Sequence, residues 1–400
     1  MNLGNRAIPE GTRDLIFEEC DCLEKVQGQL LALFRAWGFS RVQTPSLEFF
    51  DLFSGKAAYF PQESLYKLTD SSGRLAVMRP DCTIPIARLA ASRLLGEPLP
   101  LRLCYAQNVF RLSPNMSGRC HEINQIGVEV MGVSSAQSDL ELLQLAAEAL
   151  SLSGGDSFRL ELCHIGYFKA LLASLQADAA TAETIRGLIE SKNYAALGDQ
   201  LARFNGSPAA KALKALPRLF GGEEVFDRAL ALFSAPEAAG PLADLKSLYQ
   251  KLSALGLEGR IMVDLGLVNQ ADYYTGIIFN GYLQEVGQPV LSGGRYDNLV
   301  QAGGRALPST GFGINIDLLA QKRLLEEPVS RPCSQLLVYA QPDYQVKALQ
   351  YAQKLRRSGL CCETALFDSV EEALGYACSR GIPRLDIVGQ EIESREVEGL

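Results

Sequence analysis

The stretch RLCYAQNVFRLSPNMSGRCHEINQIGVEVMG, residues 102–132, decides how this chain folds. It opens with apolar residues at alternating positions, Leu103, Tyr105 and Val109, and breaks at Ser113-Pro114-Asn115. It resumes at Ile123-Asn-Gln-Ile-Gly-Val-Glu-Val130, so the pattern is two strands joined by an irregular loop. Gln125 and Glu129 are an even number of residues apart and share one face of the second strand, with Gly127 between them leaving room for a ligand. A carboxylate there can receive an ammonium group. Arg111, at the end of the first strand, can hold a carboxylate or phosphate by a forked pair of hydrogen bonds. Spacing alone supports two readings equally, an amino-acid site or a solvated sheet face with a surface arginine.

Outward from this stretch, 400 residues with 47% hydrophobic content allow a large core and two or three domains. A net charge of -8 weighs against a nucleic-acid partner, because binding phosphates needs a basic surface. No apolar run follows a basic start and none is long enough for a bilayer, so neither export nor membrane insertion is expected. The ten cysteines include no C-x-x-C pair and there are only two histidines, His121 and His164. No metal site and no cofactor are expected, and reduced thiols in the cytoplasm are the natural reading.

In chain order, Leu23, Val26, Leu30, Leu33 and Trp37 mark an amphipathic helix within residues 13–37, ended by Gly38. Ser40 to Thr44 reads as a strand stopped by Pro45. A hairpin, residues 65–70 and 74–79 around Ser71-Ser72-Gly73, delivers Arg79-Pro-Asp-Cys-Thr83. Asp81 and Thr83 can face a ligand's ammonium group or cap the helix that follows, and spacing favours the cap. A helix over 138–152 and a strand over 158–163 precede an Ala- and Leu-rich helical insertion, about 167–255. Strand character returns at 260–264 and again after Asp272, where Tyr273 and Tyr274 suit either a pocket wall or an ordinary half-buried strand. The glycine-rich run 292–317 fits neither a P-loop nor a dinucleotide fingerprint. Past a linker at 326–331, alternating strand and helix patterns indicate a small α/β unit.

Several of these words resemble class II histidyl-tRNA synthetases. Phe110-Arg111, Gly118-Arg119 and Asn124 to Gly132 resemble motif 2; the opening Ile8 to Asp14 and, by position, residues 40–53 resemble the start and motif 1, which builds the dimer interface. Arg79 to Thr83 resembles the R-P-E-G-T stretch that binds the substrate's amino group, with Asp81 for the Glu. Asp272 to Gly276 resembles the histidine motif R-G-L-D-Y-Y, and Gly293-Gly-Arg-Tyr-Asp297 the family's G-G-R-Y-D. The departures fall on reaction groups: Asn269 stands at the histidine-motif Arg, Leu318 at the motif 3 Arg and Ser113 at the motif 2 loop Glu. One lost charge-stabilising group commonly raises a barrier by ~2.7 to 4 kcal/mol, so two such losses would abolish useful turnover.

Binding groups kept without reaction groups resemble the regulatory subunits of ATP phosphoribosyltransferase, which are paralogues of the synthetases. The resemblance implies an α+β fold: a class II synthetase-like antiparallel sheet flanked by helices over 1–325, and a small C-terminal α/β domain over 332–400. It implies no catalytic residue and a histidine site of Asp81, Thr83, Arg111, Gln125, Glu129, Tyr273, Tyr274 and Tyr296. It also implies a homodimer through the core, four-plus-four assembly with the short catalytic subunit, and histidine as a feedback effector in histidine biosynthesis. An active synthetase and an RNA-binding synthetase paralogue are the competing readings.

Overall fold

The computed structural model describes residues 8–54, 60–112, 120–268, 274–302, 305–326 and 334–397. The chain divides into two units, Met1–Pro328 and Val329–Leu400.

The first unit begins with helix α1 (Glu18–Ala36), followed by short strands β1 (Ser40–Arg41) and β2 (Leu47–Phe49), then β3 (Lys67–Thr69), β4 (Leu75–Met78) and helix α2 (Thr83–Ala90). The quoted stretch is β5 (Leu101–Phe110) and β6 (Glu122–Met131), paired antiparallel from Leu101 opposite Met131 to Phe110 opposite Glu122. Helix α3 (Ala136–Gly154) and β7 (Phe158–His164) lead into helices α4 (Ile165–Ser174), α5 (Ala179–Glu190), α6 (Tyr194–Leu201) and α7 (Pro208–Ala215). After β8 (Phe220–Gly221) come α8 (Glu224–Leu232), α9 (Pro236–Leu252) and β9 (Ile261–Asp264). The unit closes with β10 (Ile277–Leu283), β11 (Leu291–Arg295), β12 (Gln301–Ala302), β13 (Arg305–Ala306), β14 (Ser309–Asn315) and α10 (Ile316–Glu326).

Nine strands form one sheet in the order β1-β5-β6-β14-β11-β10-β7-β9-β8. Only the β1–β5 and β7–β9 pairs are parallel. The two faces differ in chemistry. Val128, Val130, Phe312 and Phe279 lie on the face covered by α1 and α3, where Phe312 meets Phe34 and Phe279 edge-on at 6.0 and 6.3 Å between ring centres. Each such pair adds about 0.5–1.5 kcal/mol beyond its buried area. Tyr105, Gln125, Glu129, Gly311 and Gly294 alternate onto the opposite face, where the candidate site lies.

Helix α1 starts at Glu18, five residues later than the earliest position the periodicity allows. Its buried stripe is Cys22, Val26, Leu30, Leu31 and Phe34, whereas Leu23, Leu33 and Trp37 are only partly buried. The stripe is wider and rotated because α1 packs against α3, α10 and the sheet rather than against a single surface. The strand expected over 40–44 pairs only at Ser40 and Arg41. Beyond them, Thr44 is engaged by a side chain: its N–H donates to Gln107 Oε1 at 3.2 Å and its carbonyl accepts from Gln107 Nε2 at 2.7 Å.

The second unit holds strands β15 (Leu336–Ala340), β16 (Cys362–Thr364), β17 (Arg384–Val388) and β18 (Ile392–Glu396), with helices α11 (Gln345–Arg357) and α12 (Val370–Arg380). Its order is β16-β15-β17-β18, parallel except for the last pair. Leu336, Val338 and Val388 pack with Ala348 and Ala352 of α11, while Leu337, Tyr339, Leu385 and Ile387 pack with Ala373 and Ala377 of α12. The alternation along β15 and β17 therefore places one helix on each face.

Candidate functional site

Glu129 is the centre of the polar face. It is 1% exposed; Thr83 Oγ1 donates to its Oε1 at 2.7 Å and the Tyr296 hydroxyl donates to its Oε2. The carboxyl reaches this position because Gly311 on the neighbouring strand carries no side chain. A Cβ there would lie 1.8 Å from Glu129 Oε2 and 2.6 Å from the Val128 carbonyl. Burial pushes the Glu129 pKa up to about 8, against the lowering effect of the Tyr296 and Thr83 hydrogen bonds. The nearby Asp81 charge raises it further.

Asp81 is 5% exposed and takes the capping position that its spacing favoured. Its Oδ1 accepts from the Ile84 N–H at 3.3 Å, a helix-capping bond, while its Oδ2 is buried and accepts no hydrogen bond from the described residues. Burial lifts its pKa to about 6, partly offset by the positive charge of Arg111 and by the Ile84 bond. Arg111 donates from Nε to the Pro80 carbonyl at 2.6 Å and sets its guanidinium over Phe60, 5.5 Å from the ring centre. That anchor holds a cation where its charge acts on Asp81.

Gln125 accepts the Tyr105 hydroxyl on its Oε1 at 3.2 Å. The space above Gly127, expected from the sequence to admit a ligand, is instead taken by Tyr105: a Cβ at Gly127 would fall 2.5 Å from its Oη. Tyr105 is opposite Gly127 in register, 1% exposed, and burial holds its phenol well above the ordinary value. Gly127 thus accommodates a protein ring. The solvated-face reading fails too, since Glu129, Tyr105 and Tyr296 are all buried. Thr83, Arg111, Gln125 and Asn315 are half-buried and form the more open side of the cluster.

A second layer fixes the tyrosines. Tyr274 lies against Gly294, and its carbonyl accepts from Lys169 Nζ of α4 at 2.7 Å. The next residue, Thr275, donates from Oγ1 to Asp297 Oδ2 at 2.9 Å. Arg295, beside Tyr296, binds Asp297 at 3.0 Å and holds Asp139 of α3 through Nε and a terminal nitrogen, at 3.0 and 2.7 Å. Sequence spacing did not single out Tyr105, Arg295, Asp297 or Lys169. Only the alternation of Tyr105 with its strand neighbours and the word G-G-R-Y-D carried any signal.

Of the expected histidine site, Asp81, Thr83, Glu129 and Tyr296 come together, with Arg111 acting on Asp81 by its charge. Gln125 joins the same face through Tyr105. Tyr273 and Asn269 lie outside the described residues, as does Ser113. Leu318 is on the first turn of α10, its N–H donating to Asn315 Oδ1 at 3.4 Å and its side chain packed against the core. Asp317 next to it is tied to Asn124, accepting from the backbone N–H at 2.8 Å and from Nδ2 at 2.9 Å. Among the described residues no group of three or more His, Cys, Asp or Glu is placed to hold a metal, and no helix is long and apolar enough to cross a membrane.

A model of the histidyl-tRNA synthetase family matches residues 11–319. A protein of Clostridium kluyveri named ATP phosphoribosyltransferase regulatory subunit is 38% identical over 95% of this chain and 98% of its own length. One of the same name from Clostridium botulinum is 36% identical over 96% of this chain and 92% of its own length. Among solved structures, an ATP phosphoribosyltransferase regulatory subunit/histidyl-tRNA synthetase from Bacillus halodurans superposes with a TM-score of 0.81 at 31% identity, covering 93% of this chain and 96% of that one. The histidyl-tRNA synthetase of Nostoc, 19% identical with a TM-score of 0.77, shares the fold over 98% of this chain and 97% of its own. The chain belongs to the ATP phosphoribosyltransferase regulatory subunits, and its α+β core and small C-terminal sheet unit have the histidyl-tRNA synthetase fold.

Proposed function

We propose that this protein is the non-catalytic regulatory subunit of ATP phosphoribosyltransferase, required by the short catalytic subunit at the first step of histidine biosynthesis and involved in feedback inhibition by histidine. The observation that carries the reading is the contrast within one site. The Glu129, Asp81, Thr83 and Tyr296 cluster is assembled, while the helix that would bring a motif 3 arginine presents Leu318, partly buried against the core. Activation of an amino acid by ATP needs preorganised cations around the α-phosphate. A buried acidic cluster supports binding of an ammonium group instead.

In this reading Asp81 and Glu129 hold the ammonium group of histidine, Arg111 its carboxylate, and Gln125 with Tyr273, Tyr274 and Tyr296 the remaining polar edges. Histidine stabilises one conformation of the subunit over another, and the difference reaches the catalytic partner as a coupling free energy. The family resemblance supports a cytoplasmic assembly of four regulatory and four catalytic chains, the regulatory chains paired through their synthetase-like cores. The test is equilibrium binding of radiolabelled histidine to the full chain and to Glu129→Ala. Loss of binding in a variant that keeps its circular dichroism and size supports the site, and unchanged affinity refutes it. Histidine-dependent pyrophosphate exchange by the wild type would overturn the non-catalytic reading.

A further inference from the structure

Glu129 and Asp81 are two carboxyl groups in one buried site, and the structure gives them little to balance two negative charges. Both Glu129 oxygens are met by hydroxyls, of Thr83 and Tyr296, and among the described residues not by a cation. Asp81 Oδ2 is buried with no hydrogen-bond partner among the described residues. Around them, α2 and the turn before it bring Thr83 and the Cys82 thiol, β4 leads into Arg79, β5 brings Tyr105 and leads into Arg111, and the chain after β11 brings Tyr296. The facing strand β14 contributes Gly311 and Gly313, which have no side chain. Arg79 is committed to carbonyls, donating to Asn108, Thr44 and Pro45 at 2.7 to 2.9 Å. Among the described residues, Arg111 is therefore the cation that acts on Asp81.

We propose that the site takes up an ammonium-bearing ligand in exchange for a proton: the empty pocket keeps a hydrogen on the Glu129–Asp81 pair, and the ligand's cation displaces it. This rests on the amino-acid site assigned above and adds how its occupancy is regulated. In the empty protein a carboxyl O–H persists because ionising a second buried carboxyl beside the first is costly. A hydroxyl accepts as well as donates, so Thr83 and Tyr296 can serve either form of Glu129. When the ligand enters, the carboxyl O–H bond breaks, the proton passes to solvent, and the ligand's N–H groups donate to the carboxylate left behind. At the carboxyl pair the positive charge of the ammonium group takes the place of the proton's. Affinity then rises with pH until the ligand's own ammonium group begins to titrate, so regulation by the ligand becomes sensitive to pH near neutrality. The raised values of Glu129 and Asp81 agree with this placement of the proton.

The experiment is titration calorimetry of L-histidine into the full chain at about pH 7.5, in phosphate and in Tris, whose ionisation enthalpies differ widely. With Glu129 near 8, the dependence of the observed enthalpy on buffer reports release of roughly three quarters of a proton per histidine. Affinity rises about eightfold between about pH 7 and 8.5. Binding with no buffer dependence and a flat pH profile overturns the exchange while leaving the histidine site standing. Absence of binding in either buffer removes the site assignment, and the exchange with it.

Discussion

Replacing Glu129 by Gln tests whether the centre of the site is a carboxyl or a carboxylate in the folded protein. Glutamine keeps the shape, accepting from one of the two hydroxyls on its oxygen and donating from its NH2 to the other, but it has no proton to lose. In the wild type the folded-state pKa of Glu129, about 8, stands above the ordinary value of 4.5. The folded chain therefore binds more protons than the unfolded chain between these limits, and stability falls as pH rises. The contribution is fully present below about pH 4.5, is lost progressively up to about pH 8 and changes no further above that. Each pH unit inside the window corresponds to about 1.4 kcal/mol. Between about pH 5.5 and 7.5 the wild type should thus lose about 2.5 kcal/mol that the glutamine variant retains. Asp81 titrates in both proteins and cancels in the comparison. The chain has a single tryptophan, Trp37, in the synthetase-like unit, so urea unfolding followed by its fluorescence reports that unit alone. The stability difference between variant and wild type should shift in favour of Glu129→Gln by about 2.5 kcal/mol from the lower to the higher pH. Two curves that run parallel would mean that Glu129 is ionised throughout, and the account of its burial would be wrong.

The layer behind the tyrosines offers a second test. Arg295→Met leaves the Asp139 carboxylate buried without its forked partner and should destabilise the same unit by about 3–5 kcal/mol in the Trp37 transition, with Asp139→Leu in addition restoring much of the loss. Recovery absent from the double variant would contradict the pairing. Gly311→Ala should cost about 1–3 kcal/mol of stability and expel the Glu129 carboxyl, because the Val128 backbone carbonyl cannot yield to the new methyl group. Histidine affinity measured by equilibrium dialysis should fall at least tenfold, and wild-type affinity would refute the close approach.

How much of this could be read from the sequence follows from the range of the signals. The period of two along 123–130 put Gln125 and Glu129 on one face, and β6 presents them so, because strand alternation is a local property. The contact between Glu129 and Thr83 joins residues 46 apart, and the grip of Arg295 on Asp139 joins residues 156 apart; no local pattern encodes either. Gly127 shows the limit most clearly. Its lack of a side chain was legible, but which group fills the space depends on the register that sets Tyr105 opposite it. Strand β18 escaped notice for another reason. Ile392 to Glu396 are all exposed and mostly polar, so its pairing with β17 rests on backbone hydrogen bonds and leaves no apolar alternation to detect. The helix α1 was evident from its period, whereas the orientation of its stripe was decided by three packing partners at once.

The measurement that bears most directly on the central claim is reconstitution. The purified chain is mixed with a short-form ATP phosphoribosyltransferase catalytic subunit from the same source, and phosphoribosyl-ATP formation is followed with and without histidine. The account predicts product only when both chains are present, with histidine suppressing it. A catalytic subunit equally active with and without this chain, and indifferent to histidine in its presence, would contradict it.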